Sequence, residues 1–230
     1  MDEDLDQVLA LKASAKSARD DQDWKGAIKD LLQAINLLSA RMDDTSRRQP
    51  DWLVSELADA FGMLGGIEKR WALLLDGQER QLHLEASLTA YNSGFQYEEH
   101  LPPSEANTYN RVNRLVGQVL LDPSVLMKDR GAVPELSHAL AEAEKILTGQ
   151  IKSVRQEDPW AYCDLATVQL LRGEDDALLT YRLLDRLRPE EFVYDSALDT
   201  LQPLSKAAAD LRPDMDRAVD QLRRSAGYRE

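Results

Sequence analysis

Amide and guanidinium side chains recur at helical spacing near the middle of the chain. The set is Asn107, Asn110, Arg111, Arg114 and Gln118. The first four occupy positions i, i+3, i+4 and i+7, so a helix would place them on one face, opposite a stripe formed by Tyr109, Val112 and Leu115. Bidentate donors near the positive end of a helix dipole are what binding a carboxylate or phosphate requires. The spacing predicts either a site for an anionic ligand or partner, or a solvated face whose amides tie down neighbouring loops.

Other residues that could support catalysis or metal binding lack suitable spacing. His83, His100 and His138 are scattered, with no second ligand at the usual separation for zinc. Cys163 lies in a helical segment beside Trp160, where a packed thiol is the usual role, and a single cysteine forms no internal disulfide. The glycine cluster GMLGG lacks the Lys-Ser/Thr of a phosphate loop. We therefore expect no catalytic residue, no metal, no cofactor and no enzyme.

The composition favours helices and an acidic surface. The 230 residues include 43% apolar residues but only 11 glycines and 9 prolines, which predicts an all-α protein with a substantial core. A net charge of -13 would repel nucleic acids and anionic membranes. No apolar run approaches the roughly 20 residues that span a bilayer, and the acidic start MDEDLDQ differs from a signal peptide. The expected location is the cytoplasm.

Paired amphipathic helices recur along the chain and must position the polar face. In the first pair, Leu9–Arg19 precedes a polar turn at Asp20–Asp23. The second helix carries one apolar stripe, made of Trp24, Ala27, Ile28, Leu31, Ile35 and Leu38. Neither helix can bury its stripe alone, as in a tetratricopeptide unit, so each is expected to pack on its partner and on the next pair.

The same pattern returns with small or large residues at matching positions. Ala27, Leu31 and Ala34 correspond to Ser87, Tyr91 and Gly94, and again to Ala177, Tyr181 and Leu184 followed by Pro189. The predicted repeats cover about 8–41, 51–101, 104–155 and 158–189, with closing helices over 191–227. The prediction is a single domain, 1–230, folded as an all-α, tetratricopeptide-like, right-handed solenoid of about four to five helix pairs.

Several local features refine this prediction. Ile67–Leu82 is an insertion relative to an ordinary repeat, so the first helix of the second pair is expected to be extended. Gly62, Gly65 and Gly66 predict either a tight helix crossing or a helix break.

Helix-end residues and three aromatic side chains give further predictions. Ser104 is a predicted N-cap. The closing pair is predicted at Glu191–Leu201 and Pro213–Ala226, with Gly227 just beyond. The aromatic side chains Trp52, Trp71 and Tyr97 could anchor an interface, although core packing is the default for the two tryptophans.

The ordered segments LADAFGMLGGIEKRW, SLTAYNSGFQYE, NTYNRVNRLVG and PWAYCDLATVQLLRGEDDA add a family resemblance. Over about Asp51 to Pro189 they resemble the central regulatory region of the apoptosis signal-regulating kinases, called the TRAFs-binding domain, and its stand-alone bacterial relatives. In the kinases that region is a scaffold for assembly and activation. The bacterial relatives look like parts of defence or signalling systems, encoded beside effectors such as TIR or caspase-like proteins. This chain departs from the kinases in lacking a kinase domain and in its insertion.

Two functional hypotheses follow from the pattern and the resemblance. The first is a non-enzymatic interaction scaffold or regulatory subunit, in a bacterial signalling or defence system, that binds and controls a partner effector protein. The alternative is a sensor that binds a small anionic ligand, such as a nucleotide signal, in the concave groove of the solenoid. The sensor would use the Asn/Arg face of the third pair.

Overall fold

The computed structural model describes residues 3–42, 50–102, 108–127 and 134–228. Over these ranges it contains ten α-helices, one 3-10 turn and no strand, which confirms the all-α prediction. The elements are α1 (Glu3–Asp20), α2 (Trp24–Met42), α3 (Asp51–Ala72), α4 (Gly77–Glu98), α5 (Tyr109–Leu121), the 3-10 turn (Pro123–Leu126), α6 (Pro134–Ile151), α7 (Pro159–Arg172), α8 (Ala177–Leu187), α9 (Glu191–Ala207) and α10 (Asp214–Ser225).

The chain divides into two compact units, Met1–Gly117 and Gln118–Glu230, and the division falls within α5. In the first unit, α1 packs on α2, α2 on α3 and α3 on α4. In the second unit, α6 packs on α7, α7 on α8, and α10 on α9, while α9 also contacts α7 and α10 also contacts α8. Most of these contacts join helices that are adjacent in the chain, and two join α9 and α10 to the helices two positions before them. The single repeat domain over 1–230 stays a prediction.

Capping residues and glycines set the helix ends of the second unit. The Asp158 side chain accepts a hydrogen bond from the Trp160 N–H at 2.9 Å, and Pro159 opens α7. Gly173 ends that helix at φ 72°, a left-handed conformation that glycine adopts without a Cβ clash. Gly227, at φ 80°, follows α10 in the same way.

The predicted apolar stripes form the cores. On α2, Ala27, Leu31, Ile35 and Leu38 are buried, and Trp24 and Ile28 pack against them. The matched positions of the later pairs are buried as well, while the repeat itself stays a prediction. They are Ser87, Tyr91 and Gly94 on α4, and Ala177, Tyr181 and Leu184 on α8.

The glycines of α3 mark a close crossing. The helix runs unbroken through all three, so the helix-break alternative is wrong. A Cβ added to Gly65 would lie 2.8 Å from the Tyr91 ring, and one added to Gly66 would lie 3.0 Å from the Tyr109 hydroxyl. The first helix of this pair, α3, is 22 residues long, as expected from the insertion, and α4 has the same length.

Three other local predictions were wrong. The helix expected at Leu9–Arg19 begins earlier, at Glu3. The helix expected to end at Leu201 continues past Pro203 to Ala207, because buried Leu201 and Leu204 keep packing beyond the proline. Trp52 is 40% exposed rather than part of the core.

Two of the three aromatic residues named as interface candidates, Trp71 and Tyr97, are partly buried in the first unit. Trp71 is half-buried, and Tyr97 stacks on Phe61 beside the core of the first unit. Ser104 lies outside the described residues.

Candidate functional site

The polar motif at the start of α5 meets the middle of α3 and the end of α4. Asn110 is 2% exposed, and its Nδ2 donates hydrogen bonds to the Ala58 carbonyl at 2.8 Å and to Glu98 Oε1 at 2.9 Å. One amide therefore ties three helices of the first unit together. The expectation that Asn110 lies on the face opposite the buried stripe is wrong, since its side chain is enclosed between α3 and α4.

Two glycines make room for this amide. A Cβ added to Gly94 would lie 2.6 Å from the Asn110 side chain, and one added to Gly62 would lie 2.9 Å from Asn110 Oδ1. Neither position could hold a larger residue without displacing Asn110, whose two hydrogen bonds hold it in place. The glycines on α3 and α4 and the asparagine on α5 form one steric unit, which we call the Asn110 clamp, together with Glu98.

Glu98 is the charged centre of the clamp. It accepts hydrogen bonds from the Asn110 N–H at 3.1 Å and the Arg111 N–H at 3.2 Å, in addition to the bond from the Asn110 side chain. A carboxylate at the start of α5 satisfies N–H groups that the helix itself leaves unpaired. Burial raises the pKa of Glu98 to about 7, and the hydrogen bonds from Asn110 and Arg111 only partly offset that effect.

The two arginines of the motif share one aromatic ring. The guanidinium carbon of Arg111 lies 4.6 Å from the centre of the Phe95 ring, and that of Arg114 lies 3.8 Å from it. Both side chains are half-buried, and cation–π contacts of this kind add to the hold of α5 on α4. Gln118 is half-buried on α5 in the second unit, while Asn107 lies outside the described residues.

A second polar layer continues along α5. Lys69 Nζ donates to Asn113 Oδ1 at 2.8 Å in a buried position, and Asn113 Nδ2 donates to the Tyr109 carbonyl at 2.9 Å. The hydroxyls of Tyr91 and Tyr109 lie 3.4 Å apart. Sequence reasoning missed this layer and did not identify Glu98. The spacing of Ala90, Gly94 and Glu98 by four residues was the available signal, because it puts the carboxylate on the buried face of α4.

Histidine and cysteine take structural positions. His83 Nδ1 lies 2.6 Å from Glu68 Oε2, and its ring centre lies 3.9 Å from that of Trp71 with the planes tilted by 35°, whereas His100 and His138 are exposed. No three metal-ligating side chains cluster within the described residues. Cys163 is buried, and burial raises the pKa of its thiol far above the usual range, so the reactive thiolate is disfavoured.

The comparisons with known proteins give no relative. No protein-family model matches the chain, and searches of curated proteins and solved structures return no significant match. The resemblance to the regulatory region of the kinases stays a prediction from the residues themselves. Within the described residues, no helix combines the length and apolarity needed to cross a membrane.

Proposed function

We propose that this chain is a tetratricopeptide-like interaction scaffold that binds and controls a partner protein and performs no chemistry itself. One observation carries the proposal. The polar residues best suited to chemistry, those of the Asn110 clamp, are buried in contacts between helices, while large apolar side chains lie exposed on both units. Exposed aromatic and aliphatic side chains are the usual anchors of protein interfaces.

The packing pattern supports the repeat architecture within each unit. Contacts between helices adjacent in the chain join α1 through α4, and in the second unit α9 contacts α7 while α10 contacts α8. Contacts between corresponding helices of successive pairs are what stacked helix pairs produce. A right-handed solenoid of four to five pairs is the architecture that we propose on this basis.

The cellular role is proposed from the resemblance. A regulatory subunit in a bacterial signalling or defence system would hold an effector, such as a TIR or caspase-like protein encoded nearby, until a signal arrives. The net charge of -13 fits a cytoplasmic protein whose partner presents basic residues.

Affinity capture at native expression level tests the scaffold. The full chain, tagged and expressed from its own locus, should co-purify with one partner protein in a fixed ratio and elute as a complex larger than its own 25.9 kDa. A variant chain with Leu57→Asp, which places a charge in the core of the first unit, serves as an unfolded control. Recovery of the wild-type chain alone, as a monomer, would contradict the scaffold function.

The anion-sensor alternative retains one supporting observation. Two guanidinium groups, those of the half-buried Arg111 and Arg114, gather over the Phe95 ring in the first unit. Asn110 is not available to a ligand, because its amide is committed to Ala58 and Glu98. A sensor would therefore depend on the two arginines.

A further inference from the structure

Two aromatic side chains pair on the outside of the second unit. Trp160, at the start of α7, is 38% exposed, and Phe192, at the start of α9, is 55% exposed. Their ring centres lie 5.9 Å apart with the planes tilted by 49°. The next residue of each helix, Ala161 or Val193, faces the core at 0% or 2% exposure. The aromatic pair therefore belongs to the outer surface, where such large apolar groups mark binding sites.

An acidic ridge runs beside this pair. Glu191, Asp195 and Asp199 occupy positions i, i+4 and i+8 of α9, so they follow one line along the helix next to Phe192. Tyr228 donates its hydroxyl hydrogen to Asp195 Oδ1 at 2.7 Å. This hydrogen bond raises the pKa of Tyr228 and joins the segment that follows α10 to the ridge.

We propose that the aromatic pair and the acidic ridge together form a docking surface for a basic amphipathic helix of a partner protein. The inference rests on the proposed scaffold function and names its contact surface. An apolar side chain of the partner would cover the Trp160 and Phe192 rings, and lysine or arginine residues one turn away would face the ridge. An interface with an aromatic centre and a charged rim has this composition.

Charge complementarity selects this occupant over a second copy. The chain carries a net charge of -13, and a two-fold contact through this surface would bring two acidic ridges together. Like charges placed together at an interface oppose association. A nucleic acid would meet the same repulsion from the ridge.

A peptide-display selection tests the surface. The immobilised full chain is used to select 16-residue random peptides, and enriched peptides are measured by fluorescence anisotropy. Selected peptides should carry net positive charge with aromatic or aliphatic residues at i and i+3 or i+4. Phe192→Ser should weaken their binding at least tenfold, and so should Glu191→Lys combined with Asp195→Lys. Leu179→Ser is the matched control, because Leu179 is 52% exposed on α8, and it should change affinity less than twofold.

Each other outcome overturns the inference. Peptides that bind Phe192→Ser as tightly as the wild type occupy another surface, and enrichment of acidic or uncharged peptides contradicts the basic partner. Self-association of the chain that is lost in Phe192→Ser would make a second copy the occupant. If affinity capture finds a partner that the Phe192→Ser chain binds equally well, the docking surface fails and the scaffold function stands. If neither peptides nor a partner bind, both fail.

Discussion

The buried carboxyl of Glu98 should make the first unit less stable as the pH rises through neutrality. The pKa of Glu98 is about 7 in the folded protein against an ordinary value of 4.5, because burial disfavours the charged form. Below pH 4.5 the carboxyl is protonated in both the folded and the unfolded chain, and its stabilising contribution is fully present. As the pH rises toward 7 the unfolded chain releases its proton first, so the contribution is lost.

The expected size of this effect follows from the linkage relation. With these two pKa values, the contribution of Glu98 to the free energy of unfolding falls by about 2–3 kcal/mol between pH 5 and pH 8. Little solvent screening reduces this figure, since the side chain is 3% exposed. Glu98→Gln removes the titration while keeping the shape of the side chain. The stability difference between wild type and Glu98→Gln should therefore shift by that amount over the pH range.

Urea unfolding at four pH values between 5 and 8 measures the difference. The experiment uses a Trp160→Phe background, in which the three remaining tryptophans all lie in the first unit and report its unfolding alone. Glu99→Gln is the control, because Glu99 is the adjacent, exposed glutamate and should leave the pH dependence unchanged. If the free energies of unfolding of wild type and Glu98→Gln change in parallel from pH 5 to pH 8, Glu98 does not titrate in that range and a raised pKa is refuted.

Single substitutions give three further tests. Gly94→Ala should lower the free energy of unfolding of the first unit by about 1–3 kcal/mol in urea, because the added Cβ would meet Asn110. Gly149→Ala is the contrast: an added Cβ there has nothing within 4 Å, so the substitution should stabilise α6 by about 0.5–1 kcal/mol. Equal changes in the free energy of unfolding for the two substitutions would contradict the clamp. Gly173→Ala should lower stability by about 1 kcal/mol in thermal melting, because the residue lies at φ 72°, and an unchanged Tm would count against a required left-handed turn. On the anion-sensor hypothesis, Arg114→Glu should abolish any rise in Tm that ATP causes in the wild type, and an equal rise in both would remove the hypothesis.

The helices of this protein were predictable because their signals are local. A single stripe in α2 identified its buried residues, and the ends of α7 are set by Asp158 and Gly173, which act on neighbouring N–H and C=O groups. The continuation of α9 through Pro203 was not predictable from a local rule. It depends on how much packing Leu201 and Leu204 gain from other helices.

The sequence drew attention to the polar motif of α5 but did not predict that the motif packs between α3 and α4. The spacing drew attention to Asn110, Arg111 and Arg114, yet the burial of Asn110 is decided by a carbonyl at Ala58 and a carboxyl at Glu98, 52 and 12 residues away. A helix with apolar and amide residues on most of its circumference offers no clear outer face to a periodicity argument. Which amide turns inward depends on where the small residues of other helices lie.

On the proposed scaffold function, the Asn110 clamp gives a reason for the polar motif of α5 to be buried: it fixes the positions of three helices. Apolar stripes alone let neighbouring helices slide along one another by a turn with little change in buried area. The Nδ2 group of Asn110, held between Gly62 and Gly94, reaches both the Ala58 carbonyl and the Glu98 carboxyl in a single register of α3, α4 and α5. Any shifted register leaves buried polar groups without partners, which costs about 1–3 kcal/mol for each group. A surface that recognises a partner needs fixed helix positions beneath it, so the residues that define those positions are as constrained as the contacts themselves.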